Sequence, residues 1–198
     1  AVDWPAYFAL LAQAVAVGGL IVFALIAIWA FGREYTDRTV IDLLALPTSR
    51  LAIVGAKFVV VASWAAVLTG LVYGIGLGIG AAVGLPGWST ALAVGAAGQI
   101  AVTAGLTVAL VSPFAWVASA GRGYLPPIGA MVFVIFLSQV LAVLGWGAYF
   151  PWSVPALSSG VAGSSMQDLG AGSYLLVVLT GILGVVGTVA WWRFADQT

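Results

Sequence analysis

Residues 33–50 read Arg-Glu-Tyr-Thr-Asp-Arg-Thr-Val-Ile-Asp-Leu-Leu-Ala-Leu-Pro-Thr-Ser-Arg, and half of the chain's charged residues lie within them. The flanking stretches, Tyr7 to Phe31 and Leu51 to Val83, carry a single charge, Lys57. About 20 apolar residues cross a bilayer as a helix, so a charged break between two such runs marks a turn outside the membrane. The second run exceeds one crossing, and Lys57 near its start places the first turns in water, with the membrane portion beginning near Phe58.

Outward from this break the same pattern recurs. Thr90 to Ala118, Tyr124 to Leu144 and Ser173 to Trp192 are further apolar runs. The reading is an all-α membrane protein, a polytopic helical bundle with spans at about 7–31, 58–83, 90–118, 124–144 and 173–192. The alternating stretch from Tyr73 to Gly80 has the period of a strand, but it continues a run far longer than a barrel strand and reads as helix. Of the 198 residues 63% are hydrophobic and 6% charged, against roughly 25% charged in soluble domains. Six basic and six acidic residues cancel, leaving no field to attract nucleic acid. The absence of Cys and His removes disulfides, Ser-His and Cys-His catalysis and the usual zinc sites.

Lys and Arg accumulate in cytoplasmic loops. With 33–50 inside, the alternation of spans puts Arg122 and Arg193 inside as well, so all six basic residues share one side. The other side keeps Asp3 and Asp168 with Trp4, Trp88, Trp146 and Trp152 as interfacial aromatics. The C-terminus is then cytosolic and the visible N-terminus outside. A further span upstream of Ala1, making five of an expected six, would return the start to the cytosol.

Within 33–46 helical spacing pairs Arg33 with Asp37, Glu34 with Arg38, and Arg38 with Asp42, at i,i+4. Val40, Ile41, Leu43, Leu44 and Leu46 supply an apolar side. Pro47 ends the element. The expectation is a stiff amphipathic helix over about 33–46, readable either as a self-neutralising interfacial helix or as a docking finger.

Glu34, Thr39, Leu44, Pro47, Ser49, Arg50 and Lys57 together resemble the signature of ABC-2 type permeases, particularly the bacitracin-exporter-like branch. The turn 118–129 around Arg122 and the stretch 149–157 resemble that family's second cytosolic loop and its short outer re-entrant helices, expected here within about 145–170. The resemblance implies a coupling helix at 33–46 that docks on a separate ABC ATPase, present in two copies and holding ATP and Mg²⁺. It also implies a second permease subunit, as a homo- or heterodimer. The coupling contacts implied are Arg33, Glu34, Asp37, Arg38, Thr39, Pro47, Ser49, Arg50, Lys57 and Arg122. Many relatives have Gly where Arg38 stands. The function implied is export of a hydrophobic or amphipathic compound such as a peptide antibiotic, drug or lipid. An ABC-coupled complex for sensing or maturation, and a secondary carrier or channel, are the alternatives.

No phosphate-binding Gly-x4-Gly-Lys-Ser/Thr loop occurs in the sequence, so ATP hydrolysis is expected in another chain. The spans lack intramembrane carboxylates, which disfavours ion-coupled transport. Gln13, Gln99 and Gln139 fall in the outer halves of their helices, either as anchors of a substrate pathway or as interhelical packing groups. Small residues recur at Gly70, Gly74 and Gly78 and at Gly181, Gly184 and Gly187, for packing within the subunit or for a dimer seam. Ser112-Pro113 predicts a kink or hinge.

Overall fold

In the computed structural model, residues 2–44, 47–160 and 169–195 are described. Asp168, expected on the outer side, lies outside them. Five helices are long and apolar enough to cross a membrane. They are α1 (Trp4–Thr36), α3 (Arg50–Val83), α4 (Thr90–Ala120), α5 (Leu125–Val143) and α7 (Ala171–Phe194). Among the described residues there are also two short α-helices, α2 (Val40–Leu44) and α6 (Val154–Ser158).

Asp3 caps α1 by accepting from the Ala6 N–H at 3.0 Å, and Ser49 and Ser89 cap α3 and α4 in the same way. The stretch with strand-like alternation lies inside α3. In a bilayer only internal hydrogen bonding satisfies the backbone, so an apolar run this long folds as helix.

Helix α4 is the central beam, packed chiefly between α1 and α7, with α3 against α1. The contact face of α1 is rich in small side chains: Ala12, Ala16, Ala24 and Ala27 are buried. So are Ala93, Ala96, Ala104, Ala115 and Ala118 on α4. Lipid tails offer no hydrophobic gain over a neighbouring helix, so close backbone approach must supply the attraction.

The α4–α7 contact is closer still. A Cβ added to Gly184 would lie 2.4 Å from both the Pro113 N and the Ser112 Oγ, and one added to Gly187 would lie 2.6 Å from the Trp116 ring. The 181–187 stripe is therefore a packing surface within the subunit. The stripe on α3 divides: Gly76 and Gly80 receive Leu11 and Trp4, whereas Gly70, Gly74 and Gly78 face open space.

Pro113 lies inside α4 and lacks the N–H that would serve the Ala109 carbonyl. The Ser112 hydroxyl lies 2.8 Å from that carbonyl and 2.8 Å from the Gly181 carbonyl of α7. The single hydroxyl proton is shared between the two carbonyls, so it offsets the proline's lost bond in part and ties α4 to α7 in part.

Between α5 and α7 two 3₁₀ turns, Gly147–Tyr149 and Pro151–Ser153, lead into α6. This segment dips into the bundle. Trp152 Nε1 donates to the Leu110 carbonyl at 3.0 Å, and the Ser153 and Ser138 hydroxyls are 2.9 Å apart and buried. Ser138 lies five residues, about 8 Å, inside the end of α5 at Val143. Trp152 is therefore an inserted anchor rather than the interfacial aromatic expected, because its indole N–H finds a carbonyl at depth.

The expected helix over 33–46 is divided in two. Helix α1 continues to Thr36, the chain turns at Asp37–Thr39, and α2 spans five residues. Arg38 sits in the left-handed region at φ 57°, which interrupts helix propagation. This breaks the spacing behind the Glu34–Arg38 and Arg38–Asp42 pairs; the ion pairs among the described residues are Arg33–Asp37 and Glu34–Lys57. A left-handed position favours Gly over any residue with a Cβ. Arg38→Gly is accordingly expected to raise stability by up to about 1 kcal/mol. Arg38→Val should lower it, as read by thermal unfolding in detergent.

Candidate functional site: the basic end of the bundle

The directions of the helices bring Arg33, Arg38, Arg50, Lys57, Arg122 and Arg193 to one end of the bundle. Contacts between distant stretches confirm the convergence. Arg50 Nη1 donates to the Trp192 and Arg193 carbonyls at 2.9 and 3.1 Å. A Cβ on Gly32 would meet the Tyr124 ring at 2.9 Å.

Lys57 is the centre of this end. Its side chain turns back onto α1. Its ammonium donates to Glu34 Oε1 at 2.9 Å and to the Ala30 carbonyl, one turn earlier on α1. The Phe31 and Trp192 rings lie 5.8 and 5.9 Å from Nζ. Side-chain exposure is 15% for Lys57 and 21% for Glu34, so water screens this pair weakly. Glu34 uses its other oxygen to accept from Thr39 Oγ1 at 2.6 Å. The Thr39 carbonyl in turn accepts from the Leu43 N–H, which starts α2. One carboxylate thus joins α3 to the turn that carries α2.

Arg50 places its charge at the carbonyl end of α7, where the helix dipole favours a cation. Trp192 is fully buried, with its Nε1 donating to Ser119 Oγ at 2.9 Å. Tyr35 meets it edge-on at 6.1 Å. The ends of α1, α4 and α7 and the start of α3 are therefore fastened together around Trp192 and Lys57.

The outward side differs in character. Arg33 Nε and Asp37 Oδ2 pair at 3.2 Å with side chains 53% and 49% exposed, a geometry worth little in stability. Arg38, Thr39, Asp42, Pro47, Ser49 and Arg122 are exposed, whereas Val40 is buried and Leu43 packs on the core. The side chains of Ile41 and Leu44, and all of Leu46, lie outside the described residues. Arg122 has φ 52° and turns the chain between α4 and α5.

The three glutamines are not gathered. Gln13 is half-buried with its Nε2 about 4.0 Å from where a Cβ on Gly160 would lie, while Gln99 and Gln139 are exposed on α4 and α5. An apolar groove of about 510 Å³ between α1 and α3 is lined by none of them. No group of three or more potential metal ligands occurs among the described residues. Spacing within 33–50 could not reveal Trp192, Ser119, Tyr35 or the Arg50–α7 bonds, because they depend on residues far away in sequence. The aromatic cluster near the end of the last span was the available signal.

A sequence model of the ABC-2 family transporter proteins matches residues 11–139, a stretch that includes the Glu34–Lys57 pair and Arg122. The chain belongs to this family. An ABC-2 permease is a multi-pass transport subunit rather than an enzyme in its own right. The bacitracin transport permease protein BCRB of Bacillus licheniformis is 29% identical over 182 residues, covering 90% of this permease and 85% of that one. No solved structure matches.

Proposed function

We propose that the permease is the membrane half of an ATP-driven exporter, with its basic end in the cytosol. Two permease subunits, identical or paired with a relative, would work with two copies of an ABC ATPase that binds ATP and Mg²⁺. The cargo is a hydrophobic or amphipathic compound such as a peptide antibiotic, drug or lipid. The similarity to a bacitracin transport permease supports this class.

The observation that carries the reading is the two-sided build of residues 33–57. The exposed Arg33, Asp37, Arg38, Pro47 and Ser49 form the outward side, suited to docking on the ATPase. Glu34, Lys57 and Arg50 grip three spans from within, suited to passing the ATPase's motion into the membrane. Arg122 adds a second exposed contact, with Thr39 at the junction. Gln13, Gln99 and Gln139 are the polar groups proposed for the pathway, the last two exposed where a partner subunit or cargo would meet them.

The test separates the two sides. Arg38→Glu should reduce copurification of the ATPase and its stimulation by at least tenfold while the permease remains folded. Lys57→Met should leave copurification in place yet abolish flux in reconstituted vesicles. Intact ATPase stimulation and flux with Arg38→Glu, or normal flux with Lys57→Met, would refute the division. ATPase stimulation without cargo flux in the wild type would favour sensing or maturation over export.

A further inference from the structure

At the basic end, the start of α3 and the last turn of α7 enclose a cleft of about 450 Å³ lined by Ser49, Arg50, Leu51, Val189 and Arg193. Neither arginine has a carboxylate partner among the described residues. Arg50 commits Nη1 to the α7 carbonyls, leaving the N–H groups of Nε and Nη2 as donors. Arg193 is exposed, its guanidinium 5.3 Å from the Phe194 ring. The first turn of α3 opens on the same cleft with the positive end of a 34-residue helix, while the opposing carbonyl end of α7 is covered by Arg50 Nη1, so the two guanidinium groups supply the net charge.

One turn further along both helices, the cleft is followed by an apolar groove of about 570 Å³. Gly55 and Val61 form one wall, Ile182 and Val186 the other, and Ala109 lies at the floor. A Cβ at Gly55 would meet nothing within 4 Å, and Ile182 and Val186 are 52% and 57% exposed. Ser112, the one hydroxyl on the groove, is engaged by carbonyls.

Positive charge above an apolar channel matches one chemistry, an anionic head on a hydrocarbon tail. From Arg193 to Val178 the axial distance is about 22 Å. Half a hydrocarbon core of about 30 Å is about 15 Å, so the combined site spans one leaflet and its head-group layer. A zwitterionic lipid carries its own cation and gains less from the arginines.

We propose that the α3–α7 cleft binds an anionic phospholipid, its phosphate between Arg50 and Arg193 and one acyl chain along Gly55 and Ile182. The inference rests on the membrane location of the chain and not on the export reading, so loss of either leaves the other standing.

Native mass spectrometry of the detergent-purified permease tests it, by titration with phosphatidylglycerol, phosphatidylcholine and inorganic phosphate. Phosphatidylglycerol should bind about twentyfold more tightly than phosphatidylcholine, with about fivefold lost in Arg193→Gln and little in Arg193→Lys. Gly55→Leu, a good helix former placed in open space, should weaken both lipids by obstructing the groove. Inorganic phosphate at millimolar concentration should not displace the lipid. Equal binding of the two lipids would overturn the proposal even if every variant failed to fold. So would unchanged binding in Arg193→Gln or Gly55→Leu. Displacement by free phosphate would identify a soluble-anion site instead.

Discussion

Gly184→Ala is expected to remove most of the folded protein, and Gly74→Ala almost none. The two glycines belong to similar small-residue stripes, yet their surroundings are opposite. A methyl group at 184 would lie 2.4 Å from the Pro113 N and 2.6 Å from the Ser112 carbonyl carbon. Those atoms belong to the backbone of the central helix and cannot rotate away, so α4 and α7 must separate. Overpacking a close contact costs typically about 1–3 kcal/mol. Separation would also break the Ser112–Gly181 bond and loosen the cradle of Trp116 against Gly187. The total should exceed about 3 kcal/mol. At Gly74 the methyl meets nothing within 4 Å, and alanine is the better helix former by about 1 kcal/mol. Size-exclusion yield and thermal unfolding of the two variants side by side give the comparison. Normal yield of Gly184→Ala would show that the helices do not approach as closely as described.

The second large effect is expected at Lys57. Lys57→Met keeps most of the unbranched side chain, but it removes the ammonium from beside the Phe31 and Trp192 rings and leaves the Glu34 carboxylate facing a half-buried site with Thr39 as its remaining side-chain partner. Removing one member of a buried pair costs about 3–5 kcal/mol, and the residual exposure of this pair reduces the expectation to about 2–4 kcal/mol. Adding Glu34→Gln to Lys57→Met removes the stranded charge. The double variant should therefore be more stable than the sum of the single losses predicts. Unfolding midpoints of the four members of the cycle measure the coupling. A coupling near zero would mean that the pair does not hold α1 to α3.

Much of this architecture was legible because folding in a membrane is governed first by where apolar residues run unbroken. Long apolar runs separated by charged turns can only become spans, and the helices found begin and end within a few residues of those runs, apart from the extension of α1 to Thr36 at the basic end. Local rules failed where a single backbone angle overrode them. The i,i+4 spacing around Arg38 was sound for a helix, but Arg38 adopts a left-handed conformation, which moves Glu34 away from Arg38 and onto Lys57. The glycine stripes illustrate a different limit. Their periodicity is visible in the sequence, but whether a neighbour stands opposite depends on which face turns toward α4, and Gly74 and Gly184 differ only in that respect. Trp152 has the composition of a surface aromatic, and only the fold brings the carbonyl of Leu110, 42 residues away, within reach of its N–H.

The lengths of α1 and α3 carry a mechanical consequence. At 33 and 34 residues each is a rod of about 50 Å, well beyond the hydrocarbon thickness of about 30 Å. Neither has a proline beyond its first turn to act as a joint. With one end clamped at Glu34 and Lys57, a rotation of about 5° there would carry the far tips through about 4 Å, close to the spacing between neighbouring side chains. The Trp4 ring, seated over Gly80 near those tips, would have to slide along α3 if the two rods turned by different amounts. Rods of this length would thus turn a small angular displacement at the charged end into a displacement of atomic size at the other.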